Sequence, residues 1–495
     1  MALSGGLVLA GAADHLPRPV VQALARAQVP HDAVAMLVVD LASAEVRLSH
    51  RAREPMNPAS VIKLLTTSAA LDLLGPAYTW TTTVIADGAL EGGLLKGHVV
   101  LRGGGDPKLV VERLQALLVQ LQAGGVKGIE GDIVLDRSLW RTPAVRPGDF
   151  DGEPLKPYNA QPDALLVNFK SMVLTFTPEP AQRRARVTLE PPLAGVQIDA
   201  SVPLAGGAPC DDWRSGLQAV IDQPQRVQFR GRYPASCGER IWPTAYPEPE
   251  SFAARAIEGL WRQLGGGLSG RVRDATEAES AALARSGTLS GARPVLRLEQ
   301  PSLPLASIVQ DINKFSNNVM AQQVFYTLGQ RASAAQGQPG TQEGARAALL
   351  DWWRQRLPAS AVPSIDNGSG LSRTQRISAQ AIADLLVRMA GSAVAADLLA
   401  SLPVAGVDAT MRQRARAVAG QAWLKTGTLR EVSAIAGYAQ SGSERRYAVI
   451  GLINHPNAAA GRAVKGLLTI PKYESHHPVC LDASGSCPLC LTPPC

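Results

Sequence analysis

The chain has 495 residues, of which 46% are hydrophobic and 18% charged, so it is long and apolar enough to form two or three folded domains. No run of 18 or more apolar residues occurs, so the sequence predicts no membrane-spanning helix. The net charge of +7 is spread along the chain and forms no basic block, which argues against a nucleic-acid-binding protein.

The first residues are apolar and small, like the second half of a secretory signal peptide. They read Met-Ala-Leu-Ser-Gly-Gly-Leu-Val-Leu-Ala-Gly-Ala-Ala and lack the positively charged start of such a signal. We therefore expect an exported protein, periplasmic or beyond, whose signal is truncated because the start codon is placed too late. The alternative is an apolar first segment with no targeting role.

The six cysteines fall into two groups. Cys210 and Cys237 lie in loop-rich sequence, and in an exported protein we expect them to form a structural disulfide. The other four lie in the Pro- and Ser-rich tail over 471–495: Cys480, Cys487, Cys490 and Cys495. The alternatives for this tail are a metal knuckle and a disordered, atypical C-terminus. The second pair needed for a zinc site is missing, so we expect disorder and no metal.

The first elements predict an α/β core. Residues 18–29 have the apolar spacing of an amphipathic helix, and strands follow over 33–39 and 45–49. A helix then begins at Ser60 and ends at a Gly-Pro pair. A strand pair that leads into a helix in this way is typical of an α/β sandwich.

The next stretch, over 78–244, alternates like a series of strands and predicts a mainly β insertion. The expected strands cover 79–86, 94–102, 128–136, 165–169, 173–177, 186–189 and 227–231, and one helix covers 108–123. Three glycines at 103–105 precede an Asp-Pro pair without the Gly-Lys-Ser/Thr ending of a phosphate-binding loop, so we interpret them as a turn.

Helices return after residue 251. They are expected over 252–264, over 302–328 with an interruption at 314–318, and over 378–390, followed by strands over 423–429, 434–438 and 447–453. We therefore assign 1–77 and 245–470 to one discontinuous catalytic domain. The insertion between them is expected to form one or two extra domains.

Ser60 and Lys63 carry the most informative pattern. A lysine three residues after a serine lies on the same helix face, so its amine can reach the hydroxyl. A serine hydroxyl is a poor nucleophile until a base takes its proton, and a buried lysine beside another cation can be that base. Most such patterns are only a capping serine and a solvated lysine, but here an apolar helix follows and indicates burial.

Two further polar clusters follow. Ser316, Asn317 and Asn318 interrupt helical sequence, where they are poor helix formers but can present polar side chains. Lys425-Thr426-Gly427 opens a pair of strands, and its glycine permits a ligand to approach the backbone. A polar, glycine-rich loop over 366–373 is of the kind that often lines sites. Each cluster alone also fits an ordinary turn or strand.

Together, Ser-x-x-Lys, Ser-x-Asn and Lys-Thr-Gly in this order resemble the motif set of penicillin-binding proteins and serine β-lactamases. The stretch between Ser60 and Ser316 is far longer than a β-lactamase would have. It resembles the low-molecular-mass class C penicillin-binding proteins, the D-alanyl-D-alanine carboxypeptidase/endopeptidase family. The likeness covers about 17–467 and is supported by Gly104–Pro107, Gly131–Asp136, Tyr158–Ala160, Asp366–Arg373 and Leu402–Gly406.

This resemblance implies a transpeptidase-like domain of the α/β class, with a five-stranded sheet covered by helices on both sides and interrupted by the insertion. It also implies roles for the first two motifs. Ser60 is expected to attack the carbonyl between two D-alanines and form an acyl-enzyme, with Lys63 as its base. Ser316 is expected to relay a proton to the leaving amine, and Asn318 to hold Lys63 and the substrate amide.

The resemblance also implies how the substrate is held. Lys425 and Thr426 are expected to bind the terminal carboxylate, and the N–H groups of Ser60 and Thr428 to form the oxyanion hole. Arg373 resembles the family's arginine for the free end of the peptidoglycan stem peptide. An acid of the inserted loop, Asp149 or Asp151, is expected to pair with that peptide's amine.

The implied partners are peptidoglycan peptides with D-Ala-D-Ala ends or cross-links, and β-lactams as covalent inhibitors; no cofactor is implied. One rival is a β-lactamase, but no Glu-x-x-Leu-Asn segment lies between the second and third motifs, so slow release of penicillin is expected. Another is a non-catalytic wall-binding protein, which three intact motifs disfavour. From residue 470 the chain departs from the family's usual ending, so Ala458–Leu468 is expected to pack only partly.

Overall fold

A computed structural model describes residues 16–207, 209–334 and 337–461. The helices are α1 (Arg18–Arg26), α2 (Lys63–Leu74), α3 (Val111–Ala123), α4 (Pro249–Gln263), α5 (Glu277–Ser286), α6 (Leu305–Phe315), α7 (Asn318–Ser333), α8 (Gln342–Arg356), α9 (Ala379–Ala390) and α10 (Ala395–Ser401). The expectations for the signal-like start and the cysteine-rich tail lie outside the described residues.

The strands up to residue 205 are β1 (Val34–Asp40), β2 (Val46–His50), β3 (Pro55–Met56), β4 (Thr81–Glu91), β5 (Leu94–Arg102), β6 (Gly128–Ile129), β7 (Ile133–Asp136), β8 (Ser171–Glu179), β9 (Arg184–Glu190), β10 (Gln197–Ile198) and β11 (Ser201–Ala205). The later strands are β12 (Leu217–Gln223), β13 (Arg226–Gly231), β14 (Tyr233–Pro234), β15 (Arg240–Ala245), β16 (Gly267–Leu268), β17 (Val272–Asp274), β18 (Leu296–Pro301), β19 (Ile377–Ser378), β20 (Ala422–Leu429), β21 (Val432–Gln440) and β22 (Arg446–Asn454). No helix in this described part of the chain is long and apolar enough to cross a membrane.

The catalytic part is built on a five-stranded antiparallel sheet in the order β2-β1-β22-β21-β20. Side chains alternate between the two faces of a strand, yet β1 is buried at every position, because both faces are covered. Leu37 and Ile450 pack into the core shared with α2 and α9. Met36 and Val449 pack on the opposite face beneath Leu24 of α1. The expected five-stranded sheet with helices on both sides is confirmed.

The inserted segment adds further sheets, most of which share one large buried core. One sheet runs β16-β6-β5-β4-β18, with β7 and β17 paired alongside β5. A second runs β14-β11-β9-β8-β15 and a third β10-β13-β12. Leu118 of α3, Phe176 of β8 and Trp261 of α4 belong to the same buried cluster, so these sheets and helices fold as a packed unit.

The insertion extends beyond its expected end at residue 244. Strands β16, β17 and β18 pair with β6, β7 and β4, and Phe252 and Trp261 of α4 pack in the inserted core. We therefore place the boundary near Pro301, after which α6 begins the return to the catalytic core. The apolar spacing of α4 indicates which face is buried but not which sheet buries it.

Local expectations failed in two ways. The segment over 165–169 is not a strand: a 3₁₀ turn covers Asn168–Lys170, whose three residues all have positive φ, and the preceding leucines are buried in a loop. Polar or proline-containing strands such as β12 and β15 were missed because they lack apolar alternation. The structure joins Cys210 to Cys237, which ties the loop before β12 to the turn after β14.

Candidate active site

Ser60 lies on a 3₁₀ turn, Ala59–Ile62, that leads directly into α2. Ala59 adopts the left-handed region (φ 46°), which is uncommon for a residue with a Cβ, and its N–H donates to the side chain of Asn57 at 2.9 Å. The side chain of Asn454, at the end of β22, pairs with both the N–H (2.8 Å) and the carbonyl (3.0 Å) of Asn57. The turn that presents Ser60 is thus attached to the end of the central sheet.

Lys63 is fully buried, and its Nζ contacts three oxygens. Ser60 Oγ lies at 3.0 Å, Asn318 Oδ1 at 2.6 Å, and the Ser369 carbonyl is also bonded. Burial, and secondarily the charge of Lys425, hold the pKa of Lys63 well below its ordinary value. A neutral amine can donate to the two carbonyl oxygens and keep its lone pair for the hydroxyl proton of Ser60.

Ser316 ends α6, and Asn318 begins α7. Ser316 is in the left-handed conformation (φ 58°), and the Asn317 side chain caps α7 by accepting from the Met320 N–H at 3.1 Å. The expected interruption of the helical sequence is confirmed here. It allows the two side chains of this motif to contact the two buried lysines, because Asn318 reaches Lys63 and Ser316 reaches Lys425.

Lys425 is a second fully buried lysine, on β20. Its Nζ donates to Ser316 Oγ at 2.9 Å and to the Thr426 carbonyl at 2.8 Å. Burial first, and then the nearby charge of Arg414, lower its pKa to about 7. The site therefore holds two buried lysines whose charged forms are both disfavoured, and Lys425 can exchange a proton near neutral pH.

Strand β20 is the outer strand of the sheet, and one side of it faces the site. The Ala422 carbonyl and the Leu424 N–H bond to the 403–405 segment, away from β21. Alternation along the strand therefore directs the backbone groups of Thr426 and Thr428 to the same side. Gly427 lies so close to the Ser60 turn that a Cβ there would be 2.6 Å from the Pro58 carbonyl. This close approach places the backbone of the Ser60 turn against β20, beside Thr428.

The paired lysines predict a bell-shaped dependence of kcat/KM on pH. With Lys63 in its expected role as base, activity falls at low pH, where Lys63 is protonated. With Lys425 in its expected role of binding a carboxylate, activity also falls as pH rises through the Lys425 pKa of about 7. Lys425→Arg keeps the charge at all accessible pH values. We expect this variant to lose the alkaline limb while the acid limb remains, as measured by initial rates between pH 5 and 10. An unchanged alkaline limb would contradict the assignment.

A second group of predicted residues lies on the inserted loop and its neighbour. The Arg373 guanidinium stacks over the Phe150 ring at 4.8 Å. Asp151, beside them, accepts from Tyr158 Oη and Asn159 Nδ2, each at 2.8 Å. Its pKa is lowered: the desolvation that acts to raise it is outweighed by these hydrogen bonds and by the charge of Arg373.

The other candidate acid, Asp149, lies apart from this group. Its carboxylate accepts from the backbone N–H of Arg146 at 2.9 Å, within its own exposed turn. Asp151 is instead two contacts from Asn318 of the second motif, because the Tyr158 carbonyl accepts from Asn318 Nδ2 at 3.1 Å. The structure therefore links Asp151 to Arg373 and Asn318, whereas the hydrogen bond of Asp149 stays within its own turn.

Most of the chain matches one known protein family. Residues 18–469 match the family described as D-Ala-D-Ala carboxypeptidase 3 (S13). The chain belongs to this family. It is a serine-type D-Ala-D-Ala carboxypeptidase, a hydrolase, and the resemblance to penicillin-binding proteins is confirmed.

Relatives of this carboxypeptidase match over most of their length. A D-alanyl-D-alanine carboxypeptidase of Actinomadura sp. (strain R39) is 28% identical, with 89% of this chain and 81% of that protein covered. A D-alanyl-D-alanine carboxypeptidase of Haemophilus influenzae is 23% identical, with 81% and 80% covered. The crystal structure of penicillin binding protein 4 from Haemophilus influenzae superposes with a TM-score of 0.69 at 20% identity, covering 91% of this chain and 98% of that one. It shows the same fold.

The sequence did not reveal the backbone carbonyls that contact the site of this carboxypeptidase. Lys63 bonds the Ser369 carbonyl, and Asn318 bonds the Tyr158 carbonyl. The expectation that the 366–373 loop lines the site pointed to the first of these. Phe150 and Arg414 were also missed, because neither an aromatic ring in a loop nor an exposed arginine has a pattern of its own.

Proposed function

We propose that this carboxypeptidase cleaves the bond that follows a D-alanine in peptidoglycan stem peptides, at D-Ala-D-Ala ends and at cross-links, through an acyl-enzyme on Ser60. The observation that supports it most is the environment of Lys63. Lys63 is fully buried, and its amine nitrogen lies 3.0 Å from the Ser60 hydroxyl. In the neutral amine, the two N–H hydrogens are donated to two other acceptors, so the nitrogen lone pair is left to take the hydroxyl proton.

In the proposed first step, Lys63 takes the Ser60 proton while Ser60 Oγ bonds to the substrate carbonyl carbon. The negative charge that develops on the carbonyl oxygen is stabilised by the N–H groups of Ser60 and Thr428; one such donor typically contributes ~3–4 kcal/mol. The Ser316 hydroxyl accepts from Lys425, so its own hydrogen is available for the leaving nitrogen when the C–N bond breaks. Lys425 replaces the proton that Ser316 gives up, and Lys63 passes the Ser60 proton to Lys425 through solvent, so that Lys63 is neutral again. Water then hydrolyses the ester: Lys63 takes a proton from the attacking water and returns it to Ser60 Oγ as the ester bond breaks.

The carboxylate beyond the scissile bond is assigned to Thr426 and Lys425, on the open side of β20. A terminal D-alanine and the D-centre of a cross-linking diamino acid both present a carboxylate beside the scissile nitrogen. One site can therefore act on both, which supports combined carboxypeptidase and endopeptidase activity.

Asp151 and Arg373 are proposed to hold the far end of the stem peptide, where a diaminopimelate residue carries both an amine and a carboxylate. Asp151→Asn is expected to lower kcat/KM about tenfold for a stem peptide with a free amine, since an ion pair becomes a neutral hydrogen bond. Asp149→Asn is the matched control and should leave kcat/KM unchanged. Equal kcat/KM values for Asp151→Asn and wild type would contradict this assignment.

Intact mass spectrometry after brief exposure to benzylpenicillin tests the proposal directly. One Haemophilus influenzae relative has been solved in complex with a β-lactam, and the same chemistry applied to this chain predicts a stable covalent adduct. The adduct should form on wild type and be absent from Ser60→Ala. Rapid loss of the drug without an adduct would indicate a β-lactamase instead, and neither adduct nor loss would contradict the assembled site.

The substrate class implies that the chain works outside the cytoplasm. The disulfide between Cys210 and Cys237 supports export, because such bonds persist in oxidising compartments. Fractionation of cells expressing the full-length gene, with thiol labelling of the protein before and after reduction, tests this. Recovery in the cytoplasm with free thiols would contradict it.

A further inference from the structure

The side-chain amide of Asn318 has two ends that look alike in shape but differ in chemistry. Its Oδ1 accepts from Lys63, and its Nδ2 donates to the Tyr158 carbonyl at 3.1 Å. A carbonyl can only accept, so it determines which end of the amide points toward it. The Tyr158 carbonyl, which belongs to the inserted segment, therefore turns the oxygen of Asn318 toward Lys63.

The inserted segment that carries Tyr158 is held against α7 by a fully buried side chain, Gln323. Gln323 Nε2 donates to the Asp163 carbonyl at 2.9 Å and faces the carbonyls of Gly105 and Asp106 at 3.3 and 3.4 Å. Its Oε1 accepts from the Asp163 N–H at 2.9 Å. One side chain thus bonds two separate stretches of the insertion to the helix that begins with Asn318.

Helix α7 also contacts the inserted segment on both sides of Gln323. Ala160 packs against Val319, the residue after Asn318, in a small buried cluster. Further along α7, Trp80 Nε1 donates to Thr327 Oγ1 at 2.8 Å, and Trp140 packs against Tyr326 with ring centroids 5.4 Å apart. Among these α7 side chains, Gln323 is the one that hydrogen-bonds to the backbone at the end of the 158–163 segment.

We propose that Gln323 is a positioning residue for the reaction. By holding the 158–163 segment against α7, it keeps the Tyr158 carbonyl where it orients the Asn318 amide, and so keeps an acceptor on Lys63. The inserted segment then contributes to catalysis by orienting Asn318. This inference rests on the proposed function, since it acts through Lys63 and Asn318.

The proposal predicts a direction for the pH dependence. An oxygen that accepts from Lys63 stabilises the ammonium more than the neutral amine, so it raises the pKa of Lys63 relative to the same site without it. If the Asn318 amide is released, that pKa falls. The acid limb of acylation reports protonation of Lys63, so it should then move to lower pH. The maximal rate should fall as well, because Lys63 is held less firmly against Ser60.

The test compares Gln323→Met with Thr327→Val. Gln323→Met keeps the size of the side chain and removes its donor and acceptor. Thr327→Val removes two buried hydrogen bonds, from Trp80 Nε1 and to the Gln323 carbonyl, one turn further from Asn318 on the same helix. Acylation by a chromogenic β-lactam is followed by stopped flow between pH 4.5 and 8, and Tm is measured for each variant. We expect Gln323→Met to acylate about ten- to a hundredfold more slowly, with its acid limb about half a pH unit lower.

Thr327→Val should lower Tm but leave the acid limb in place. If Gln323→Met does not fold, Gln323→Asn replaces it, because the amide stays polar but is one methylene too short to reach both the Asp163 N–H and the Asp163 carbonyl as Gln323 does. An acid limb unmoved in the Gln323 variants, or moved equally in Thr327→Val, would overturn the proposal. Absence of acylation in wild type would instead contradict the proposed function, so the two failures are distinguishable.

Discussion

Lys63→Met is expected to slow acylation of Ser60 by about 10³- to 10⁴-fold, the usual contribution of a well-placed general base. The substitution removes the amine that lies 3.0 Å from Ser60 Oγ but introduces no charge into a fully buried position. We therefore expect little change in Tm. The rate of adduct formation with benzylpenicillin, measured by quenched mass spectrometry, reports the effect.

Lys63→Arg separates the two roles that the amine could have. A guanidinium stays charged at every accessible pH and cannot accept the Ser60 proton. If Lys63 acts as the base, both variants are inactive; if it acts only through its positive charge, Lys63→Arg retains activity. Lys96→Arg, on an exposed lysine paired with Glu91 in the insertion, is the control and should match wild type. Acylation of Lys63→Met within tenfold of wild type would exclude the amine as base.

Gly427→Ala is expected to reduce acylation by about 10²- to 10³-fold, comparable to the loss of one oxyanion donor. A Cβ at this position would be 2.6 Å from the Pro58 carbonyl and 3.0 Å from the Ser60 nitrogen. Both are backbone atoms that cannot rotate aside, so β20 must move away from the Ser60 turn. Such a shift separates the N–H of Thr428 from that of Ser60, and transition-state stabilisation falls with the misplacement.

Gly442→Ala is the matched control, because a Cβ there meets no atom within 4 Å. It lies on the turn between β21 and β22 and should leave acylation unchanged. Stopped-flow acylation with a chromogenic β-lactam and the Tm of both variants separate a local effect from unfolding. The prediction fails if Gly427→Ala acylates at the wild-type rate with unchanged Tm.

The amino-acid sequence alone determined the reactive motif and most of the framework that carries it. The spacing of Ser60 and Lys63 fits one helix face, and the nearly continuous apolar runs of β21 and β22 show in the residue types themselves. The break at Ser316 could also be predicted, since Asn and Ser compete with the helix for hydrogen bonds. These features depend on interactions within a few residues, or on side-chain polarity, and the sequence contains both directly.

The tertiary structure alone decided how distant segments meet. The Ser369 and Tyr158 carbonyls complete the surroundings of Lys63 and Asn318, but a backbone carbonyl is the same in every residue and has no signature in the sequence. The choice of Asp151 over Asp149 depends on which side of a loop turns toward Tyr158.

The insertion's boundary near Pro301 likewise follows from strand pairing between segments far apart in the chain. Such pairings, like the burial that lowers the pKa of Lys63, arise only when those segments pack together. The sequence therefore determined which chemical groups the site contains. The fold decided their protonation and their partners.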